Sequence, residues 1–352
     1  MPEEIDMSPL SPAKRTPDFD NLLAVFHREK PNRDTLYELF LNNRLYRRFC
    51  EPNHPALALK TPLDLLRVFV SAYARAGYDY SHAACPFGFA RAAAHRQKSI
   101  SQNDFAMIHD RASFEAYPWP DPDKSDYSNF EKILEEMPSK MKLVPMSPGG
   151  VQENAIDIVG YENLCLMAYD DPGLTEDIFA RIGKILVRHQ EIVSAFPSVG
   201  ACMCNDDWGH RTQTVFSPEM MGKYIFPWHK GMIDAIHKNG KPALLHSCGN
   251  LSGIMDTIVA LGFDMKHSYE DIICPVEEMY DKWSDKISIV GGMDVAFMCD
   301  RPLAEITERS RKMLRKAAAS RGGYALGTGN SVPEYISDER YLAMTKAALE
   351  ND

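Results

Sequence analysis

From residue 142 to its end the chain repeats one rhythm: a short apolar run, a cluster of polar residues, then a longer stretch with helical spacing. The runs at 142–146, 199–204, 242–245, 263–267, 287–290 and 324–326 are too short for free helices and fit buried parallel strands. Helical stretches at 158–170, 174–196, 218–239, 275–283, 302–319 and 338–349 alternate with them. Upstream, 19–29 reads as an amphipathic helix and 35–41 as a first strand leading into a helix at 42–49. Residues 61–76 form a clear helix with Gly77 as its C-cap, and 78–85 a strand stopped by Pro86. About eight strand–helix units in one chain favour a single closed (β/α)8 TIM barrel with an N-terminal helical extension. The rival, a doubly wound open sheet, lacks a G-x-G-x-x-G after its first strand. Gly327-Thr328-Gly329 has no third glycine and reads as a turn.

The 352 residues suffice for one such barrel or two smaller domains, and 45% hydrophobic with 25% charged is ordinary globular composition. Residues 1–17, bearing four prolines, read as a flexible tail and 18–352 as the barrel domain. Pro118, Pro120 and Pro122 leave no room for a long element, so 86–128 reads as an insertion over one face, followed by a helix at 129–137. A net charge of -10 argues against a general nucleic-acid binder. Eight cysteines in a chain of this length do not make a disulfide scaffold. The N-terminus has no apolar signal core, and no apolar run approaches the roughly 20 residues of a membrane span. The expectation is a cytoplasmic protein with free thiols and no membrane.

Chemistry concentrates where the strands end. Residues 241–251 read KPALLHSCGNL, and His246 and Cys248, two apart on an extended chain, face the same way. An imidazole and a thiol side by side are two-thirds of a catalytic zinc site. On pattern alone a satisfied core histidine beside a buried cysteine is commoner, but the end of a parallel strand is where α/β folds place their chemistry. Asn250 is the expected N-cap of the next helix. The other strand ends contribute Asp206, Asp207, Trp208 and His210, then His267 and Glu270, then Asp294, then Thr328 and Asn330. Asp206-Asp207 and Glu270 are candidate catalytic groups, although one of the paired aspartates can equally cap a loop, and Asp294 also fits a plain turn before a helix.

These strand ends resemble the uroporphyrinogen decarboxylase superfamily, whose fold is a single (β/α)8 barrel. The family's F-D-S-W-A-G is matched by Asn205-Asp206-Asp207-Trp208-Gly209-His210, its G-N-L-D-P by Gly291-Gly292-Met293-Asp294-Val295, and its L-G-H-G-I-x-P by residues 326–333. Order and spacing agree over roughly 142–348. The true decarboxylases strip acetate carboxyls from a tetrapyrrole and hold it with two arginines. Here only Arg44 corresponds, Phe40 stands where the first arginine belongs, 84–87 has no aspartate, and Thr328 replaces the late histidine. The other branch, similar to the coenzyme M and chloromethane methyltransferases, binds zinc through H-x-C and a late cysteine, and takes methyl from a methylcobamide. His246 and Cys248 match that H-x-C; no cysteine stands in 327–330. The resemblance therefore implies a methyltransferase using weakly bound zinc on His246, Cys248 and a carboxylate, Glu270 or Asp207, with His267 a further candidate ligand. A corrinoid, carried on a partner protein, is the implied co-substrate. Arg44, Trp208, His210, Asp294, Thr328 and Asn330 would surround a small-molecule substrate, and a homodimer is compatible. The alternatives are decarboxylation of a tetrapyrrole or related acid, with Asp206 or Asp207 balancing charge, and a non-catalytic corrinoid or small-molecule binding barrel.

Overall fold

The structure, a computed structural model, describes residues 7–91 and 106–350. The first six residues of the expected tail and positions 92–105 of the expected insertion lie outside the described residues. The described residues form seven short strands: β1 (Tyr80–Ala83), β2 (Lys142–Pro145), β3 (Cys202–Asn205), β4 (Ala243–His246), β5 (Met265–His267), β6 (Ser288–Val290) and β7 (Tyr324–Ala325). Every pairing is parallel. β1 pairs with β2, and β3 to β7 form a second sheet in chain order. Strands such as Ala243-Leu244-Leu245 are completely buried, because helices cover the sheet and leave no face for solvent.

Isolated bridges extend these sheets. Leu143 with Val199 and Met146 with Met203 carry parallel pairing from β2 towards β3, and Leu36 pairs with Leu326 next to β7. There Tyr37 N–H donates to Leu326 O and Leu326 N–H to Thr35 O, both at 2.8 Å. From residue 38 to β1 the link runs through side chains: Tyr80 Oη donates to Glu38 O at 2.7 Å, and His82 Nε2 bonds the same oxygen at 2.8 Å. The expected first strand is thus a single bridge at Leu36. The fold is α/β with parallel strands, the one antiparallel bridge among the described residues being Gly209 with Thr214 in the loop after β3, and among those residues the backbone hydrogen bonds do not run unbroken around it.

The helix Pro62–Ala76 follows local signals closely. Thr61 and Asp64 form a capping box, Pro62 opens the first turn, and Gly77 ends it with φ +93°. Other helices depart from expectation. Val151–Val159 is a helix where none was expected before residue 158. The stretch 218–239 is two helices, Pro218–Tyr224 and Phe226–Lys238, because Pro227 has no N–H to continue the ladder. After β4 a 3-10 turn, Ser252–Ile254, precedes the helix Met255–Leu261, and Asn250 Oδ1 accepts Ser252 N–H at 3.1 Å instead of capping that helix. Within the expected tail, Leu10 N–H bonds Arg48 O at 2.8 Å, Ala13 N–H bonds Arg75 O at 2.7 Å, and Arg15 Nε bonds Gly77 O at 2.8 Å. Among the described residues no helix is long and apolar enough to cross a membrane.

Candidate metal centre

The register of β3, β4 and β5 places Asn205 beside His246 and His246 beside His267. His246 is the last residue of β4, and Cys248 follows two residues later. Its Sγ lies 3.7 Å from His246 Nε2. Asp207, just past the end of β3, brings Oδ1 to 3.9 Å from the same nitrogen. That oxygen also accepts the N–H of Cys248 at 3.0 Å. Sγ, Nε2 and a carboxylate oxygen all lie within 4.8 Å of one another. A tetrahedral zinc ion with bonds of about 2.0–2.3 Å holds its ligand atoms roughly 3.3–3.6 Å apart, so the sulfur and the carboxylate oxygen each need to approach Nε2 by only a few tenths of an ångström.

Two loops bring the ligand atoms together. At Gly209 an added Cβ would stand 2.8 Å from Asn250 N and Cys248 O, and at Gly249 it would stand 2.2 Å from the carbonyl of Gly209. The loops carrying Asp207 and Cys248 therefore touch backbone to backbone. Asn250 N–H donates to His210 O at 2.7 Å, and Trp208 N–H to Ser247 Oγ at 3.1 Å, which pins them.

Burial dominates the electrostatics. It pushes the His246 imidazole down to about 4, so the ring is neutral at physiological pH. Burial, and then the Asp207 charge, pushes the Cys248 thiol up to about 12. Asn330 Nδ2 donates to Cys248 Sγ at 3.3 Å. Two further groups flank the centre. Lys266 is buried, its ammonium pushed down to about 8 by that burial; Nζ donates to Ser268 O at 2.7 Å and lies 4.3 Å from the Tyr269 ring centre. Glu153, in the helix Val151–Val159, is pushed up to about 8 by burial and by the negative Asp206 and Asp207. Its Oε2 accepts Gly150 N–H at 2.9 Å and Asn205 Nδ2–H at 3.3 Å. Neither was expected from sequence. A lysine inside an apolar strand signals Lys266; Glu153 lies in the helix that sequence patterning misses.

A model of the uroporphyrinogen decarboxylase family matches residues 127–350, well over half of the chain. The chain belongs to the uroporphyrinogen decarboxylase family. Among solved structures it is similar to a methyltransferase from Methanosarcina mazei, at 14% identity and TM-score 0.70, over 96% of this chain and 99% of that one. At that identity the likeness is one of fold. It is also similar, at TM-scores of 0.42 and 0.38, to CbXyn10B and to TsXylA, an intracellular xylanase from Thermoanaerobacterium saccharolyticum. These are 10% and 11% identical, over 64% and 63% of this chain and 84% and 81% of theirs. No curated protein matches it.

In this uroporphyrinogen decarboxylase family member the strand-end residues divide into those at the centre and those committed elsewhere. Asp207, not Glu270, stands with His246 and Cys248, because the β3–β4 contact brings the Asp207 loop onto Cys248. Glu270 lines a cavity of about 740 Å³ with Tyr269, Asp294, Asn330 and Tyr335. His267 bonds His246 ring to ring. Asp206 is completely buried and fully engaged: Oδ2 accepts Gln152 N–H at 3.0 Å, Oδ1 accepts Glu153 N–H at 2.9 Å, and His229 Nε2 lies 2.9 Å from Oδ2. It caps the helix Val151–Val159. Asp294 caps the helix Val295–Asp300 through Phe297 N–H at 2.8 Å and accepts Asp271 N–H at 3.0 Å. Arg44 bonds Asp338 at 2.8 Å, Ile336 O at 2.6 Å and Glu334 O at 3.2 Å. Trp208 is completely buried against Phe226, His229 and Phe263. His210 is exposed. Thr328 turns its hydroxyl to Glu38, a buried carboxyl that sequence reasoning passed over.

Proposed function

We propose that the strand segments close into a (β/α)8 barrel, and that its mouth transfers a methyl group between a corrinoid and a small nucleophile at a zinc-type centre. One observation carries the reading: a neutral imidazole, a thiol and a carboxylate from two touching loops converge within 4.8 Å. This donor set suits zinc, which takes nitrogen, sulfur and carboxylate oxygen together. His246, Cys248 and Asp207 would hold the ion, and the resemblance to a protein described as a methyltransferase supports the direction. When bound, the metal would lower the pKa of the nucleophile and fix its lone pair.

The chain's own residues supply the rest. Asn330 donates to Cys248 Sγ and so favours the thiolate that a metal needs. Asn330 also lines the cavity of about 740 Å³, which gives a small nucleophile a place beside the centre. In such a transfer the nucleophile's lone pair would form the new bond to the methyl carbon as it gives up its proton, and the corrinoid would leave with the electron pair of the broken bond. Glu153, pushed to about 8 close to Asp207, is matched to proton exchange near neutral pH. The corrinoid would arrive on a partner protein. Decarboxylation of an anionic tetrapyrrole is less well supported, since Arg44 spends its guanidinium on Asp338 and on carbonyls of the chain itself.

The test is zinc content and methylcobalamin demethylation of protein purified without chelator, in wild type and Cys248→Ala. The expected result is zinc and thiol-dependent demethylation in wild type and neither in the variant. Equal zinc in both would sink the reading and leave a decarboxylase or a binding-only barrel.

A further inference from the structure

A buried chain of hydrogen bonds runs from the candidate ligand His246 to Glu38. His246 Nδ1 lies 2.9 Å from His267 Nδ1, and His267 Nε2 lies 3.1 Å from Thr328 O. Thr328 N–H donates to Glu38 Oε2 at 3.1 Å, and Thr328 Oγ1 bonds Glu38 Oε1. His267, Thr328 and Glu38 are each completely buried, and His246 nearly so.

The chemistry of these contacts allows one arrangement of protons. Both rings are buried and along this chain face only each other and a carbonyl, so each is a neutral imidazole with a single N–H. A carbonyl oxygen only accepts, so the proton of His267 must sit on Nε2, facing Thr328 O. His267 Nδ1 is then a bare lone pair, and the 2.9 Å contact requires the proton of His246 on its Nδ1. His246 Nε2 is left bare, and it is the nitrogen that faces Cys248 Sγ and Asp207 Oδ1. Gly291 makes the geometry attainable. With φ +73° it tolerates the turn, and a Cβ there would stand 2.4 Å from Thr328 O and 2.6 Å from His267 Cδ2. Tyr37 packs its ring 5.2 Å from that of His267.

We propose that His267, clamped by Thr328 and Glu38, is a positioning residue: it fixes the tautomer and aim of His246 and thereby sets the metal affinity of the centre. Nitrogen ligands are commonly oriented by a partner on the other ring nitrogen, and loss of such partners costs about 10–100-fold in affinity. Here the partner is a second imidazole whose own proton is dictated by the carbonyl of residue 328.

The affinity arm rests on the metal reading; the tautomer arm does not. Ring nitrogen–proton correlation spectra of the metal-free protein should show His246 protonated at Nδ1 and His267 at Nε2. A proton on His246 Nε2 would overturn the proposal whether or not zinc binds. Zinc affinity, measured by competition with a chelator, should fall ~10–100-fold in His267→Leu. His267→Asn, whose amide can accept from His246 and donate to Thr328 O, should recover most of that loss and guards against a folding defect in the leucine variant. Equal affinity in wild type and His267→Leu overturns the proposal. A wild type with the stated tautomers but no zinc overturns the metal reading, and with it the claim on affinity.

Discussion

Asp207 Oδ1 accepts the backbone N–H of Cys248 while standing 3.9 Å from His246 Nε2. One oxygen thus both fixes the turn that presents the thiol and completes the set of three donors. Asp207→Ala should weaken zinc binding by at least about tenfold, roughly 1.4 kcal/mol, whereas Glu270→Ala should leave it unchanged. Chelator competition on the two variants decides which carboxylate is the ligand.

Zinc affinity should fall with acidity. The thiol of Cys248, pushed up to about 12, keeps its proton across the physiological range, and a metal must displace it. Binding that releases one proton loses about tenfold in affinity for each unit of pH lowered. Titrations between pH 6 and 9 that give a flat affinity would show that Cys248 is not a ligand.

A second thiolate belongs at residue 330. Thr328 turns its hydroxyl to Glu38, and a Cβ on Gly329 would meet Tyr269 O at 2.1 Å, so a cysteine at either position cannot approach the centre. Asn330 already reaches Cys248 Sγ at 3.3 Å. Asn330→Cys should tighten zinc binding at least about tenfold, and Thr328→Cys should not. Comparison of the two variants reads this directly.

Glu38 makes stability depend on pH. Burial raises its folded pKa from 4.5 to about 8. A raised carboxyl favours the protonated form on folding, so its contribution is fully present below 4.5 and is lost as pH rises towards 8. Glu38→Gln cannot ionise, and its amide can still accept from Thr328 N–H. The variant should gain on wild type across that window, by on the order of 4 kcal/mol at pH 8. Denaturant unfolding at pH 5 and pH 8 measures the difference; an unchanged difference would mean that Glu38 stays ionised in the fold.

Asp206→Ala should act on folding before chemistry. It removes the cap from Val151–Val159 and leaves His229 without its partner. The expected loss is about 2–4 kcal/mol, read from the denaturant midpoint.

What the sequence made legible was local. Thr61, Asp64 and Gly77 announce their helix with adjacent signals, and Asp338–Leu349 has the bounds its pattern predicts. The pairing of His246 with Cys248 followed from alternation over three residues. What stayed hidden was set by distant contacts. The helix Val151–Val159 follows Gly150, which has no side chain to cap with, and borrows the carboxylate of Asp206 instead. Asp207 rather than Glu270 stands with His246 and Cys248 because two loops touch, which no spacing records. Glu38 reads as one polar residue in an apolar stretch until Thr328, at the other end of the chain, folds onto it.

The contact of Gly209 with Gly249 works as a gauge block. Nothing thicker than two hydrogen atoms separates the loops, so the gap between carboxylate and thiol is machined by the absence of two methyl groups. Adding either one would act as a shim, widening the jaws between carboxylate and thiol while every donor remained in place along the chain.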